Sequence, residues 1–128
     1  MKTLDTFTRS YIGAALWSST DNSNEQGGDP LDSNYSESDI APETLQRMAE
    51  DCAAFQADNA EDLASADIEA SRAGFLFWLN RNGHGSGFWD EVSGSHELRT
   101  VFMRLSAASE VWGDFNLYVG DDGQIYGS

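Results

Sequence analysis

The chain has a single cysteine, Cys52, so no disulfide can form within it. Histidines number two, His84 and His96, and they stand apart in the sequence. One cysteine and two histidines do not supply the three or four ligands of a zinc site, and neither a metal nor a cofactor is expected. No apolar run approaches the roughly 18 residues needed to cross a bilayer. Met1-Lys2-Thr3-Leu4-Asp5 lacks a basic stretch leading into an apolar one and a cleavage site, so no secretion signal is read and a cytoplasmic location is expected. Cations are scarce: Lys and Arg total 7 against 22 Asp and Glu, a formal net charge of −15.

What remains is enough for one folded domain. The chain has 128 residues, of which 40% are hydrophobic and 12% aromatic, richer in aromatics than disordered chains. A single domain over 1–128 with one core is expected. The charge is unevenly placed. Residues 21–69 carry 14 carboxylates and one cation, Arg47, whereas residues 70–128 carry four arginines against seven carboxylates. Such an excess repels nucleic-acid phosphates and phospholipid surfaces, which excludes direct nucleic-acid and membrane binding and favours a basic protein partner. The plainer alternative is that the carboxylates only keep a small protein soluble.

The pattern predicts an α+β domain, mainly helical, with three to four helices and a C-terminal β-hairpin. Leu4, Phe7, Tyr11, Ala15 and Trp17 recur at helical spacing over 4–17. Residues 18–39 form a polar, acidic loop, functional or mobile, with Leu31, Tyr35 and Ile40 able to pin its second half. The clearest helix covers 42–58. Pro42 suits its first turn, Leu45, Met48, Ala49, Cys52 and Phe55 make an apolar stripe, and Asn59 stops it. The opposite face is read as presenting Glu43, Glu50, Asp51 and Asp58, with Arg47 among them. Residues 60–66 allow a short helical turn. A third helix is predicted to begin at Asp67 as its cap, although Phe75-Leu76-Phe77-Trp78-Leu79 is equally compatible with a buried strand. A last helix is predicted from Ser95 through Leu98, Val101, Phe102 and Leu105. Asp122-Gly123 between Leu117-Tyr118-Val119 and Ile125-Tyr126 signals the hairpin.

Known chemical motifs fit poorly. Gly83-His84-Gly85-Ser86-Gly87 lacks the Lys-Ser/Thr of a phosphate-binding loop, and its Ser86 is not in a nucleophile elbow. Gly120-Asp121-Asp122-Gly123 has no glutamate downstream to complete a calcium loop. Trp78, Phe88 and Trp89 flank the glycine-rich segment and read first as core, with Trp89 a natural interface anchor if exposed.

Several stretches taken together resemble a family of small acidic proteins encoded by tailed bacteriophages and prophages. They are Ala15-Leu16-Trp17-Ser18-Ser19-Thr20, Asp39 to Leu45, Ala73-Gly74 with Phe77-Trp78-Leu79, Arg81-Asn82-Gly83-His84-Gly85 with Gly87-Phe88-Trp89-Asp90, and Leu117 to Gly123. The likeness implies a phage origin and a bacterial host cytoplasm rather than an activity. Phe75-Leu76 stands where that family's pattern has a polar His-Asp pair, so any chemistry of that pair would be lost here. Glu37-Ser38-Asp39-Ile40 also resembles, over a few residues, the Glu-Ser-Ile strand of uracil-DNA glycosylase inhibitors.

Two functional expectations follow, neither of them enzymatic. The first is an acidic binding protein that inhibits a host restriction, CRISPR or repair factor by DNA mimicry. Its surface would be built from Asp21, Glu25, Asp32, Glu37, Asp39, Glu43, Glu50, Asp51 and Asp58. The second is a phage accessory module that binds a protein or small ligand through the 80–90 loop, using Arg81, Asn82, His84, Trp89 and Asp90. An acid–base set of Arg81, His84 and Asp90 is the enzymatic alternative, with no substrate indicated. A homodimer is compatible with either expectation.

Overall fold

The computed structural model describes residues 4–21, 29–83, 88 and 96–127. In chain order the elements are α1 (Thr6–Ser18), β1 (Thr20–Asp21), β2 (Asp29–Pro30), two 3-10 turns (Leu31–Ser33 and Glu37–Asp39), α2 (Pro42–Asp58), α3 (Ala60–Ala66), α4 (Ala70–Arg81), α5 (His96–Glu110), β3 (Leu117–Val119) and β4 (Ile125–Gly127). The architecture is α+β and mainly helical, closed by an antiparallel C-terminal hairpin.

Asp5 starts α1 by accepting the Thr8 N–H at 2.8 Å, which satisfies one of the otherwise orphaned donors of the first turn. Phe7, Tyr11 and Ala15 are buried as their spacing predicts, joined by Ile12 and Leu16. Trp17 departs from that expectation and is 55% exposed. It lies about 120° around the helix from Tyr11, outside the buried arc, and its ring packs on Phe75 at 5.7 Å.

The described residues of the acidic 18–39 stretch take regular local structure. Thr20 pairs with Pro30 and Asp21 with Asp29 in a short antiparallel ladder, and the Leu31 N–H reaches the Ser19 carbonyl at 2.9 Å. Leu31 and Ile40 are buried and Tyr35 half-buried, so they do pin the second half.

α2 begins with Pro42 at its first position and stops where Asn59 donates from both its backbone and its side-chain amide to the Phe55 carbonyl. The expected turn at 60–66 is the helix α3. Asp67 does not cap the next helix; it ends α3 instead, with φ 52° in the left-handed region. A short polar side chain tolerates that conformation as readily as a capping role. The chain re-enters helix at Ala70, so the ambiguous 75–79 run is helical.

Gly74 lets α1 and α4 meet. A Cβ there would fall well inside contact distance of the Phe7 carbonyl oxygen. Around this crossing Phe77 stacks on Phe55 with ring centroids 4.1 Å apart and on Tyr11 at 5.3 Å. Trp78 presents its edge to Tyr11 and donates its indole N–H to the Ser18 hydroxyl at 2.7 Å. Phe88 is also buried, against Phe55, so both Trp78 and Phe88 are core residues as expected. α5 buries Val101, Phe102 and Leu105; Ser95, its expected cap, lies outside the described residues.

A two-stranded hairpin is only marginally stable alone and has to dock. Here Ile125 bridges Ile40, and its carbonyl accepts the Ala41 N–H at 2.8 Å, tying β4 to the entry of α2. Gly123 at φ 81° makes the turn.

Candidate functional site

The helix α2 carries the acidic surface. Glu43, Glu50 and Asp58 are exposed and make no ion pair among the described residues. Seven residues separate Glu43 from Glu50, which places them within about 20° of one another and roughly 10 Å apart along the axis. The flanking turns add Asp32, exposed, and Glu37 and Asp39, both half-exposed; Asp39 is engaged locally, accepting the Ser36 N–H at 2.8 Å. Beyond α2, Glu61, Asp67 and Glu69 are exposed as well. Asp21 is placed through its backbone in β1, and Glu25 lies outside the described residues.

Asp51 does not belong to that surface. It is buried, and its Oδ2 accepts from Arg81 Nη1 at 3.1 Å. On α2 it sits only about 60° from Met48, on the edge of the apolar stripe rather than opposite it. Arg81 is equally inward. Its Nε donates to the Gly113 carbonyl at 2.8 Å, its Nη1 also donates to the Tyr11 hydroxyl at 2.9 Å, and its Nη2 donates to the Trp112 carbonyl at 3.2 Å. The guanidinium also lies 5.4 Å from the Phe115 ring centroid and 5.7 Å from those of Phe77 and Trp112. This is how a cation is accommodated inside a protein: each of its three nitrogens hydrogen-bonded, one carboxylate beside it and aromatic faces around it. Burial holds the Tyr11 phenol above its ordinary pKa, against the pull of the adjacent Arg81 charge.

A second pair crosses from α3 to α5. Asp62 accepts a fork from Arg104, at 2.7 Å from Nη2 and 3.1 Å from Nε. Arg47 is the cation set among the α2 carboxylates. It is well exposed, its Nε reaches to 4.0 Å from Asp51, and it lies over the Phe115 ring at 5.6 Å.

The loop set fares differently. Arg81 faces the interior rather than a ligand, and Asn82 is half-buried. The Asn82 side chain donates to the Trp78 carbonyl at 2.9 Å and accepts the Phe115 N–H at 2.8 Å. Both residues fasten α4 to the segment before the hairpin. His84, Trp89 and Asp90 lie outside the described residues. Four donated bonds and burial commit Arg81 to the interior.

Nucleophile and metal chemistry find little support among the described residues. Cys52 is buried and burial pushes its thiol up, away from the reactive thiolate. No group of three His, Cys, Asp or Glu among the described residues is placed to hold a metal ion. No helix among them is long and apolar enough to cross a membrane.

Two concavities border the acidic face among the described residues, and the smaller, of about 330 Å³, lies at the α2–α3 junction beside Asp58, Glu61 and Asp62. A groove of about 440 Å³ runs between the start of α1 and the outer side of α2, lined by Leu4, Asp5, Thr8, Gln46, Ala49, Glu50 and Ala53. Sequence reading missed it because its two walls are some forty residues apart. The only local signal was the small side chains of Ala49 and Ala53 at helical spacing beside Glu50.

Comparison with protein-family models, with curated proteins and with solved structures gives no match.

Proposed function

We propose that the protein acts by binding: its exposed carboxylates occupy the basic groove of a nucleic-acid-binding protein in place of backbone phosphates, inhibiting it. The phage-like segments point to a host defence or repair factor as the partner class.

The observation that carries this reading is how the charges are apportioned. Arg81 and Arg104 are committed to Asp51 and Asp62, while Asp32, Glu43, Glu50, Asp58, Glu61, Asp67 and Glu69 stay exposed. These two pairs therefore leave the exposed carboxylates of α2 and α3 un-neutralised. Magnitude sets a condition on the mimicry. The span from Glu43 to Asp58 covers roughly 22 Å of helix, over which duplex DNA carries about 13 charges. The three exposed carboxylates of α2 are too sparse alone, so the flanking turns and α3 have to contribute.

The test uses a variant that leaves the buried pair intact: Glu43→Gln, Glu50→Gln, Asp58→Asn and Glu61→Gln together. Immobilised wild-type protein is challenged with the heparin-binding fraction of a bacterial lysate at about 50 and about 200 mM salt. The reading expects a nucleic-acid-binding protein retained at low salt, released at high salt and lost with the variant, and displaced by duplex DNA. Equal retention by the wild type and the variant, or retention indifferent to DNA, overturns it.

A further inference from the structure

We infer that the groove between α1 and α2 is a receptor for one long basic side chain, lysine or arginine, of the protein partner. The inference rests on the binding function proposed above and adds where on the acidic face a specific contact is made.

The groove has the two parts such a side chain needs. Leu4, Ala49 and Ala53 give it apolar walls, and the alanines leave the width that larger residues would fill. Lysine and arginine carry an aliphatic stem that packs on apolar surface while the charged head stays at a polar rim. That rim is anionic here: among the described residues Asp5 and Glu50 line the groove and no Lys or Arg does.

The two carboxylates are not equivalent. Both Asp5 oxygens are engaged, Oδ1 by the Thr8 N–H at 2.8 Å and Oδ2 by the Gln56 amide at 3.2 Å. Burial raises the Asp5 pKa, but these hydrogen bonds from Thr8 and Gln56 outweigh it and hold the group below its ordinary value, so it is a fixed negative charge. Glu50 accepts only from the Gln46 amide, at 3.1 Å to Oε1, which leaves Oε2 unpartnered among the described residues and available to an incoming cation. Asp5 thus supplies the field and Glu50 the direct contact. A groove of about 440 Å³ is large enough for such a side chain. The complementarity of charge selects a cation over the anionic and neutral occupants that an apolar cleft would otherwise accept.

The experiment separates stem recognition from bulk attraction. Two capped hexapeptides of equal charge serve as probes, one of lysine and one of 2,4-diaminobutyric acid, whose ammonium is two methylenes closer to the backbone. Each buried methylene is worth about fourfold in affinity, so with two more of them the lysine peptide is expected to bind the wild type about 15-fold more tightly. Amide shifts on titration should centre on Thr8, Ala49, Glu50 and Ala53. The variant Ala53→Phe fills the groove without touching a charge and should abolish the preference between the two peptides while leaving weak binding of both. Glu50→Gln, which keeps the size of the side chain, should weaken the lysine peptide most.

Equal affinities of the two peptides for the wild type overturn the groove while leaving general acidic binding standing. Binding of neither peptide, even at low salt, defeats the broader reading as well. If the chain's own Lys2 occupied the groove, Lys2→Gln would gain a preference for the lysine peptide that the wild type lacks, and that result also overturns the inference.

Discussion

Arg81 Nη1 stands 3.1 Å from Asp51 Oδ2, a contact between α4 and α2 in which the arginine side chain is 3% exposed and the aspartate 12%. The two charges support each other in a region where neither is tolerated alone. Asp51→Ala leaves the guanidinium with backbone carbonyls and the Tyr11 hydroxyl but no counter-charge, and Arg81→Met strands the carboxylate. Each single change is expected to cost about 3–5 kcal/mol, and the combination Asp51→Ala with Arg81→Met less than the sum of the two. Urea unfolding of the four proteins measures this. Additive losses would show that the pair is not coupled.

Gly74 and Gly13 give opposite expectations for the same substitution. Gly74→Ala drives a methyl group into the Phe7 carbonyl and has to push α1 from α4, at about 1–3 kcal/mol. A Cβ at Gly13 meets nothing within 4 Å, and Gly13→Ala should stabilise α1 by about 0.5–1 kcal/mol. Thermal melts of the two variants should move in opposite directions.

Acid stability carries a signature of the α1 cap. The Asp5 pKa is lowered in the fold from 3.8, so its contribution is fully present above that value and is lost as pH falls through the lower, folded value. Asp5→Ala should cost about 1 kcal/mol near neutrality. The gap between variant and wild type should close below pH 3.8, as measured by denaturant midpoints across the acid range. A constant gap down to the most acid point would contradict the cap.

The hairpin turn offers a spectroscopic test at the other end of the pH scale. Tyr126 donates its hydroxyl to Asp122 Oδ2 at 2.6 Å, and this bond to the carboxylate pushes the phenol up from 10.0 to about 12. The neutral phenol is the form the fold favours, so the contribution is complete below pH 10.0 and disappears as pH rises toward about 12. Asp122→Asn should return one tyrosine to an earlier step in an ultraviolet titration. An unchanged curve would mean that the contact does not persist in solution.

How much of this could be read beforehand depended on how local each signal was. The limits of α2 were legible because Pro42, an apolar stripe and Asn59 all act within the helix itself. The hairpin was legible from Asp122-Gly123 for the same reason. α4 was ambiguous because Ala73, Gly74 and Leu76 through Arg81 are all buried, and a helix surrounded by protein loses the polar face that reveals its period. Asp67 was misplaced because aspartate serves both as a cap and as a left-handed terminator, and the choice between them is made by the ends of α3 and α4 together. For the acidic surface, most positions could be placed from charge and spacing. Asp51 could not, since its fate depends on an arginine thirty residues away. A carboxylate within about 60° of a core residue was nevertheless a warning.

Because the Ile125 carbonyl holds the Ala41 N–H at one end of α2 and Arg81 grips Asp51 along its length, the helix behaves as a ruler rather than a tether. Glu43 and Glu50 are marks on that ruler, their backbone positions held at one interval. Discrimination between binding proteins would then come from the spacing of their cations, and two rivals with the same total charge but different intervals should be told apart.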